Sequence, residues 1–432
     1  MHRMKRVVFV FSIFLFSFEA NSQSVSSFKV SNEDIIGQLL KGNPEKFKKI
    51  LDNPGEYKVQ IIYAKIDRDK QNIPHFTQYN YQLDPKNYFY PASLVKLPVV
   101  ALSLEKINKM KEDSAKAYPK ISSLSKETRM KFDSAYYCQS VVDKDTTSEN
   151  GVPSIAHCIK KMMLVSDNDA YTHLYEFLGQ EYVNKALWAK GYTSARIIHR
   201  FKVCDNMQNR YTNPIAFFNE RGEEIYRQKL QYNPEQLQNY LGKVTVGRKS
   251  IEKNKLADHP KDFTYMNYLS LEDIHSILIS IMFPNAVDER RRFQLTVDDR
   301  NFLWKYMSMY PAECSTPKYN SKDYWCSYKK YFLYGDSKDS IKDKSVRIFN
   351  VVGQSFGFLS DVAYVADFKN NVEFLISAVI YVNSDGIVND GKYDYDAIGF
   401  PFLANLGRVI YEYEKKRTRS IVPDLKEFKM DY

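Results

Sequence analysis

Ser93 and Lys96 lie in the stretch Tyr90-Pro91-Ala92-Ser93-Leu94-Val95-Lys96, a proline-flanked serine with a lysine three residues on. Helical geometry puts positions i and i+3 on one face, so the hydroxyl and the ammonium can meet without help from another segment. A serine in the first helical turn also sits among free backbone N–H groups, where the helix dipole favours negative charge. A hydroxyl, a neighbouring amine and a place that tolerates an anion are the minimum equipment of a serine–lysine acyl-transfer nucleophile. Spacing alone does not select this pair. Ser123/Lys126, Ser315/Lys318 and Ser327/Lys330 repeat it, and a serine at a helix start is commonly only a cap. The setting does select it: Leu97, Val99, Val100, Leu102 and Leu104 follow, apolar enough to bury the helix and hold the pair on a rigid, inward-facing element. These three pairs lie in polar, irregular surroundings.

A second signal, Ser166-Asp167-Asn168, follows a helix-spaced apolar run at Ile155–Leu164. It also suits the N-cap of a helix over Ala170–Leu178, a role compatible with chemistry. A Ser-Asp-Asn downstream of a helical Ser-x-x-Lys is much rarer than either motif alone. On these residues the chain resembles the serine β-lactamase and penicillin-binding-protein superfamily, particularly the class A-like serine hydrolases. The resemblance implies a sheet domain beside an all-α domain, with the site in the cleft between them. It makes Ser93 the acylated nucleophile and Lys96 its base. Ser166 would relay a proton to the leaving nitrogen, and Asn168 would hold the substrate's amide.

The chain departs from the family at its third element, a Lys-Thr/Ser-Gly on the strand beside the nucleophile. The strand reads Asn350-Val351-Val352-Gly353-Gln354-Ser355, which places Val351 where the lysine belongs. A second ammonium within several ångströms would disfavour the charged form of Lys96 and would bind a substrate carboxylate; valine does neither. Arg347 is four residues away, about 13 Å along a strand, too far for direct replacement. Gly353, Gln354 and Ser355 are expected to line the substrate, with the Gln354 and Ser93 backbone N–H groups forming the oxyanion hole. The hydrolytic glutamate of class A enzymes is also missing: Thr212 or Asn213 occupies the matching region, and Glu220, Glu223 and Glu224 follow too late. An acyl-enzyme would then persist. Gly353-Gln354-Ser355-Phe356-Gly357 also spells a nucleophile elbow, but a strand follows it and no histidine lies beyond His275, so that reading fails.

The elements that must position these residues alternate in type. Tyr57–Lys65 and His75–Leu83 read as strands, as do Val346–Val352, Ser360–Asp367 and Val372–Val382. Helical periodicity marks Ile155–Leu164, Tyr171–Leu178, Val183–Trp188, Leu271–Met282 and Phe402–Lys416. The expected fold is α+β, an antiparallel β-sheet flanked by helices plus an inserted all-α domain. Residues 23–98 and 341–432 would build the sheet domain, and 99–340 the mostly helical insertion. Asn383–Asp396 has the acids of a calcium loop but fails the EF-hand offsets, so it reads as a solvated connection.

Composition narrows the setting. With 432 residues, 44% hydrophobic and 26% charged, the chain can bury an ample core. Arg3, Lys5 and Arg6 precede the apolar run Val7–Phe18, and Ala20-Asn21-Ser22 offers a cleavage site, so residues 1–22 read as a secretory signal peptide. Its removal takes three basic residues and one acid and lowers the formal charge from +10 to +8. The remaining charge is scattered, which excludes a nucleic-acid stripe. No later run is apolar enough for a stable membrane anchor. Five cysteines are too few for a disulfide scaffold, although export makes a Cys314–Cys326 bridge plausible. The histidines form no metal-ligand set, and no cofactor is expected. The reading is a periplasmic or secreted serine hydrolase acting on an amide or ester, of peptidoglycan-peptide or β-lactam type, through acyl-Ser93. The alternative is a catalytically impaired homologue that binds cell-wall peptide without turnover, and Val351 is its support.

Overall fold

The computed structural model describes residues 27–432 except 116–120, 122, 202–204 and 342; the expected signal peptide and Cys204 lie outside the described residues. Six strands form the main sheet: β1 (Phe28–Ser31), β2 (Gln60–Arg68), β3 (Pro74–Tyr81), β4 (Val346–Ser355), β5 (Phe358–Asp367) and β6 (Val372–Tyr381). Their spatial order is β1-β3-β2-β6-β5-β4. All neighbours are antiparallel except β1, which joins β3 in parallel. β2, expected from Tyr57, begins only at Gln60, because Pro54–Tyr57 forms a helical turn and Lys58 then takes a left-handed φ of 44°.

Period-two alternation sends Ile62, Ala64 and Ile66 of β2 into one core, and Ile61 and Tyr63 into another. The second core is covered by α1 (Ile35–Lys41), α2 (Pro44–Asp52) and the closing helix at Phe400–Lys416. The first is covered by α3 (Lys96–Ala115) and a helix at Leu271–Met282, which lies across β2, β5 and β6. The result is a three-layer sandwich. Between α3 and the Leu271 helix stand α4 (Ile155–Val165), α5 (Asn168–Leu178) and α6 (Gln180–Ala189), followed beyond it by Val297–Ser308. The same region carries short strands at Arg129–Phe132, Ile215–Phe218 and Glu224–Gln228, which form a small antiparallel sheet. Such short runs carry too little alternation to stand out in a sequence.

Cys314 and Cys326, expected to be able to bridge, are both free. Cys314 packs as a small hydrophobe with Leu164, Val165 and Met309, and among the described cysteines Cys138 is the disulfide-bonded one. In the Asn383–Asp396 loop, Asp385, Asp390 and Asp394 accept backbone N–H bonds from Ile387, Lys392 and Ser384. Among the described residues, no helix is long and apolar enough to cross a membrane, and no cluster of three or more His, Cys, Asp or Glu is arranged to hold a metal ion.

Candidate active site

Ser93 sits in a 3₁₀ turn, Ala92–Val95, which runs directly into α3. The expected helix therefore starts one turn late. Pro98 lacks the N–H that would bond back to Leu94, so the first turn tightens rather than continuing the α pattern. Ala92 has a φ of 45°, a left-handed conformation unusual for a residue with a Cβ and typical of strained functional turns. Leu94 and Val95 are buried while Ser93 keeps partial exposure. The turn thus anchors itself by its neighbours and presents the hydroxyl to the cleft.

Lys96 is fully buried. Its Nζ lies 2.9 Å from Ser93 Oγ, 2.5 Å from the Ser166 carbonyl oxygen, 2.9 Å from Ser166 Oγ and 2.8 Å from Asn168 Oδ1. Four oxygens around one nitrogen exceed the three protons of an ammonium. A neutral amine also makes three contacts, with two donated to carbonyl oxygens and one accepted from a hydroxyl. Burial and the charge of Lys329 hold Lys96 well below the usual lysine range, against an opposing pull from Asp167. The Phe201 ring stands 5.2 Å from the nitrogen.

The loop between α4 and α5 supplies the other half of this cluster. Ser166 caps α4 in a left-handed conformation, φ 59°, with its N–H on the Met162 carbonyl and the Asp167 N–H on Lys161. This is the paired closure that usually employs glycine. Asp167 caps α5 by accepting from the Ala170 N–H at 2.8 Å. The tripeptide therefore divides its labour: Asp167 fixes the helix, and Ser166 and Asn168 turn to Lys96.

β4 is an edge strand. A Cβ at Gly353 would sit 2.5 Å from the Pro91 carbonyl oxygen and 2.6 Å from Ser360 Oγ, so glycine lets this strand touch the nucleophile turn. The β4–β5 hairpin turns through Phe356 and Gly357, with φ of 54° and 85°, and Ser355 and Phe358 form its closing pair. Such a two-residue turn closes on a doubly hydrogen-bonded pair. Alternation then points the backbone groups of Gln354, Asn350 and Ile348 off the free edge. The Ile348 and Val346 carbonyls accordingly accept from Lys330 Nζ at 2.8 Å and Tyr310 Oη at 3.2 Å. By the same alternation the Gln354 N–H projects from the edge next to Gly353 and the Ser93 turn. Val351 is buried in the core shared with α3, as are Leu94 and Val95, so no cation occupies that register.

A sequence model described as the β-lactamase enzyme family matches residues 45–290, more than half of the chain and inclusive of Ser93, Lys96 and Ser166–Asn168. The chain belongs to the β-lactamase enzyme family. It is a serine hydrolase of the β-lactamase type. No curated protein matches the sequence. Solved structures similar to this family member include a β-lactamase from Sphaerobacter thermophilus DSM 20745, at 10% identity and a TM-score of 0.42, covering 89% of this chain and 98% of the other. A class A β-lactamase from Clostridium kluyveri DSM 555 has 13% identity and a TM-score of 0.44, covering 87% and 98%. PBP-A has 10% identity and a TM-score of 0.47, covering 91% and 100%.

Other predicted positions of this β-lactamase-family chain fall outside the cluster around Lys96. Ser355 lies in β4 at the hairpin end and is followed by strand, as expected of a position that is no nucleophile elbow. Thr212 and Asn213 are buried, and Asn213 Nδ2 donates to the Ser140 carbonyl at 3.2 Å. Glu223 and Glu224 belong to an exposed hairpin, where they accept from Asn219 and Arg227. Two features escaped the sequence reading. Tyr90, Phe263 and Phe356 form an aromatic group with ring separations of 5.2–5.8 Å, flanked by His199 stacked on Tyr90. The segment around Ser327/Lys330 is not irregular surface: Lys330 is buried, and Lys329 reaches Tyr331 Oη, which in turn donates to Gln354 Oε1.

Proposed function

We propose that this protein is exported and uses Ser93 to attack the amide or ester carbonyl of a cell-wall-peptide-like or β-lactam-like donor, forming a long-lived acyl-enzyme. The observation that carries this reading is the buried Lys96 amine, 2.9 Å from Ser93 Oγ and held by Ser166 and Asn168. A buried lysine kept neutral is a competent base. It takes the Ser93 proton as Oγ bonds to the carbonyl carbon, and the Ser93 and Gln354 N–H groups receive the developing oxyanion. The carbon–nitrogen or carbon–oxygen bond then breaks, and Ser166 passes the proton from Lys96 to the leaving atom. Asn168 holds the donor's amide.

Persistence of the ester follows from the carboxylates that would activate water. Glu223 and Glu224 are committed to a surface hairpin, and Thr212 and Asn213 are not bases. Export rests on the basic, apolar and small-residue pattern of residues 1–22.

Incubation of the mature protein with a fluorescent penicillin and with an activated ester, followed by peptide mass mapping, tests the proposal. The expected result is an acyl mass on Ser93 that outlasts minutes and disappears in Ser93→Ala. No adduct with any acyl donor would instead favour the non-catalytic binder, for which Val351 speaks.

A further inference from the structure

Val351 leaves the cleft face of β4 without a cation, and the neighbouring cations are occupied. The Arg347 guanidinium holds Glu313 at 2.8 and 3.1 Å and lies 3.7 Å from the Tyr432 ring centre. Lys330 turns inward, with Nζ 2.5 Å from the Met307 carbonyl and 2.8 Å from both the Ile348 carbonyl and Asn350 Oδ1. Lys329 is different. Its carbonyl accepts from Asn350 Nδ2 at 2.8 Å, which pins it to β4 next to Asn350. Its φ of 64° is left-handed, and the N–H groups of Tyr331 and Phe332, just beyond Lys330, both donate to Asp361 Oδ2 at 3.1 Å. The turn is thus fixed from both sides. The Lys329 ammonium lies 3.3 Å from Tyr331 Oη, which is 3.2 Å from Gln354 Oε1. Its contacts among the described residues are the phenol of Tyr331 and the rings of Tyr328 and Tyr331, not a carboxylate.

We propose that Lys329 is the second cation of this site, placed at β4 through Tyr331 and Gln354 to receive the carboxylate of the acyl donor. The proposal rests on the acyl-Ser93 reading. The role normally asked of a strand lysine is met here by a loop that reaches the same strand from outside the sheet. Lys96 contacts Ser93 on its own turn, Ser166 and Asn168 from the α4–α5 loop and the Phe201 ring, and the charges that bear on it are those of Asp167 and Lys329. Asp167 is the opposing charge, and it is engaged by the Ala170 N–H and lies 3.9 Å from Lys161. Lys329 itself is brought down by burial to about 8, so it still carries its proton at neutral pH, and an incoming carboxylate would strengthen that state.

The test compares Ser93 acylation by a fluorescent penicillin, which bears a carboxylate, with acylation by an uncharged activated ester across pH. Lys329→Asn is the informative variant, because asparagine tolerates the left-handed conformation. It is expected to slow penicillin acylation by about tenfold or more, and to move the acid limb of both pH profiles up by about one unit. Lys329→Arg is expected to restore the penicillin rate. Val351→Lys offers a second route that leaves the loop untouched: it should add little in the wild type and should rescue Lys329→Asn. An unshifted acid limb with unchanged donor preference in Lys329→Asn overturns the proposal. So does a tenfold gain from Val351→Lys in the wild type, or a loss that follows Lys261→Ala instead, Lys261 being the cation over the Phe356 ring. Wild-type protein that takes no acyl group overturns the hydrolase reading and this one with it, whereas acylation indifferent to residue 329 overturns only this one.

Discussion

Gly353 is the residue at which the sheet and the nucleophile turn meet, and its missing side chain is a requirement of distance rather than of backbone freedom. A methyl group there would lie 2.5 Å from the Pro91 carbonyl oxygen and 3.3 Å from Leu94 Cγ, so one of the two elements must move. Gly353→Ala is expected to cost about 1–3 kcal/mol of stability and to slow acylation of Ser93 by about a hundredfold, since small displacements of reacting groups are that costly. Chemical denaturation and acyl-labelling rates read the two effects separately. Labelling at the wild-type rate would show that the strand need not touch the turn. At this scale the sequence was legible where chemistry is local. Ser93 and Lys96 are three residues apart, and Ser166-Asp167-Asn168 is one tripeptide, so their types announce themselves. Lys329 could not be read this way. Its neighbour Lys330 stands in another Ser-x-x-Lys, and what matters about residue 329 is a tertiary approach to Asn350 and Gln354 of β4.

Elements differ in legibility for the same reason. The Leu271–Met282 helix has the bounds its periodicity gives, because its cap residue and apolar stripe coincide. The β4–β5 hairpin runs longer than the alternation suggests, since Gln354 and Ser355 are polar yet still pair across the ladder. The Ser327–Gly335 segment reads as a polar connection although it is nailed to β4 by a buried network of Lys330, Asn350 and Asp361. Burial pushes the Lys330 ammonium down and the Asp361 carboxyl up, each to about 7. For Lys330 the folded protein binds fewer protons than the unfolded chain between about 7 and the ordinary lysine value of about 10.4. Its contribution is therefore complete above the higher value and is lost as pH falls towards the lower one. Lys330→Met should be less stable throughout, because it abandons three acceptors. It should also lack the gain of about 1–2 kcal/mol that the wild type makes between about pH 7.5 and 9.5. Urea titrations of both proteins at the two pH values check this, and parallel slopes would mean that Lys330 titrates normally.

The whole molecule is closed by pairing its two ends. β2 at residues 60–65 lies against β6 at 374–379, so the sheet that carries Gly353 is complete only when segments some three hundred residues apart have met. Sequence pattern shows strands at both ends and suggests one sheet, but it does not show what locks them. The lock is charged. Arg68 Nε and Nη2 lie 2.6 and 2.8 Å from the two Glu373 oxygens, and Tyr364 Oη donates to Glu373 at 2.8 Å. Arg68 and Glu373 side chains are 2% and 0% exposed. A pair so deeply placed need not be worth more than well-packed apolar residues, yet removing one partner strands a charge in the core. Glu373→Ala is therefore expected to cost about 3–5 kcal/mol, measured by urea unfolding followed by fluorescence and circular dichroism. Arg68→Met combined with Glu373→Leu should recover most of that loss, because the two changes together remove both charges of the pair. If the sheet unites the chain as its topology requires, both probes will report one transition, and acyl labelling of Ser93 will be lost in that same transition. Labelling that survives after the β2–β6 pairing has melted would mean that the turn, α3 and the α4–α5 loop hold the nucleophile without the sheet.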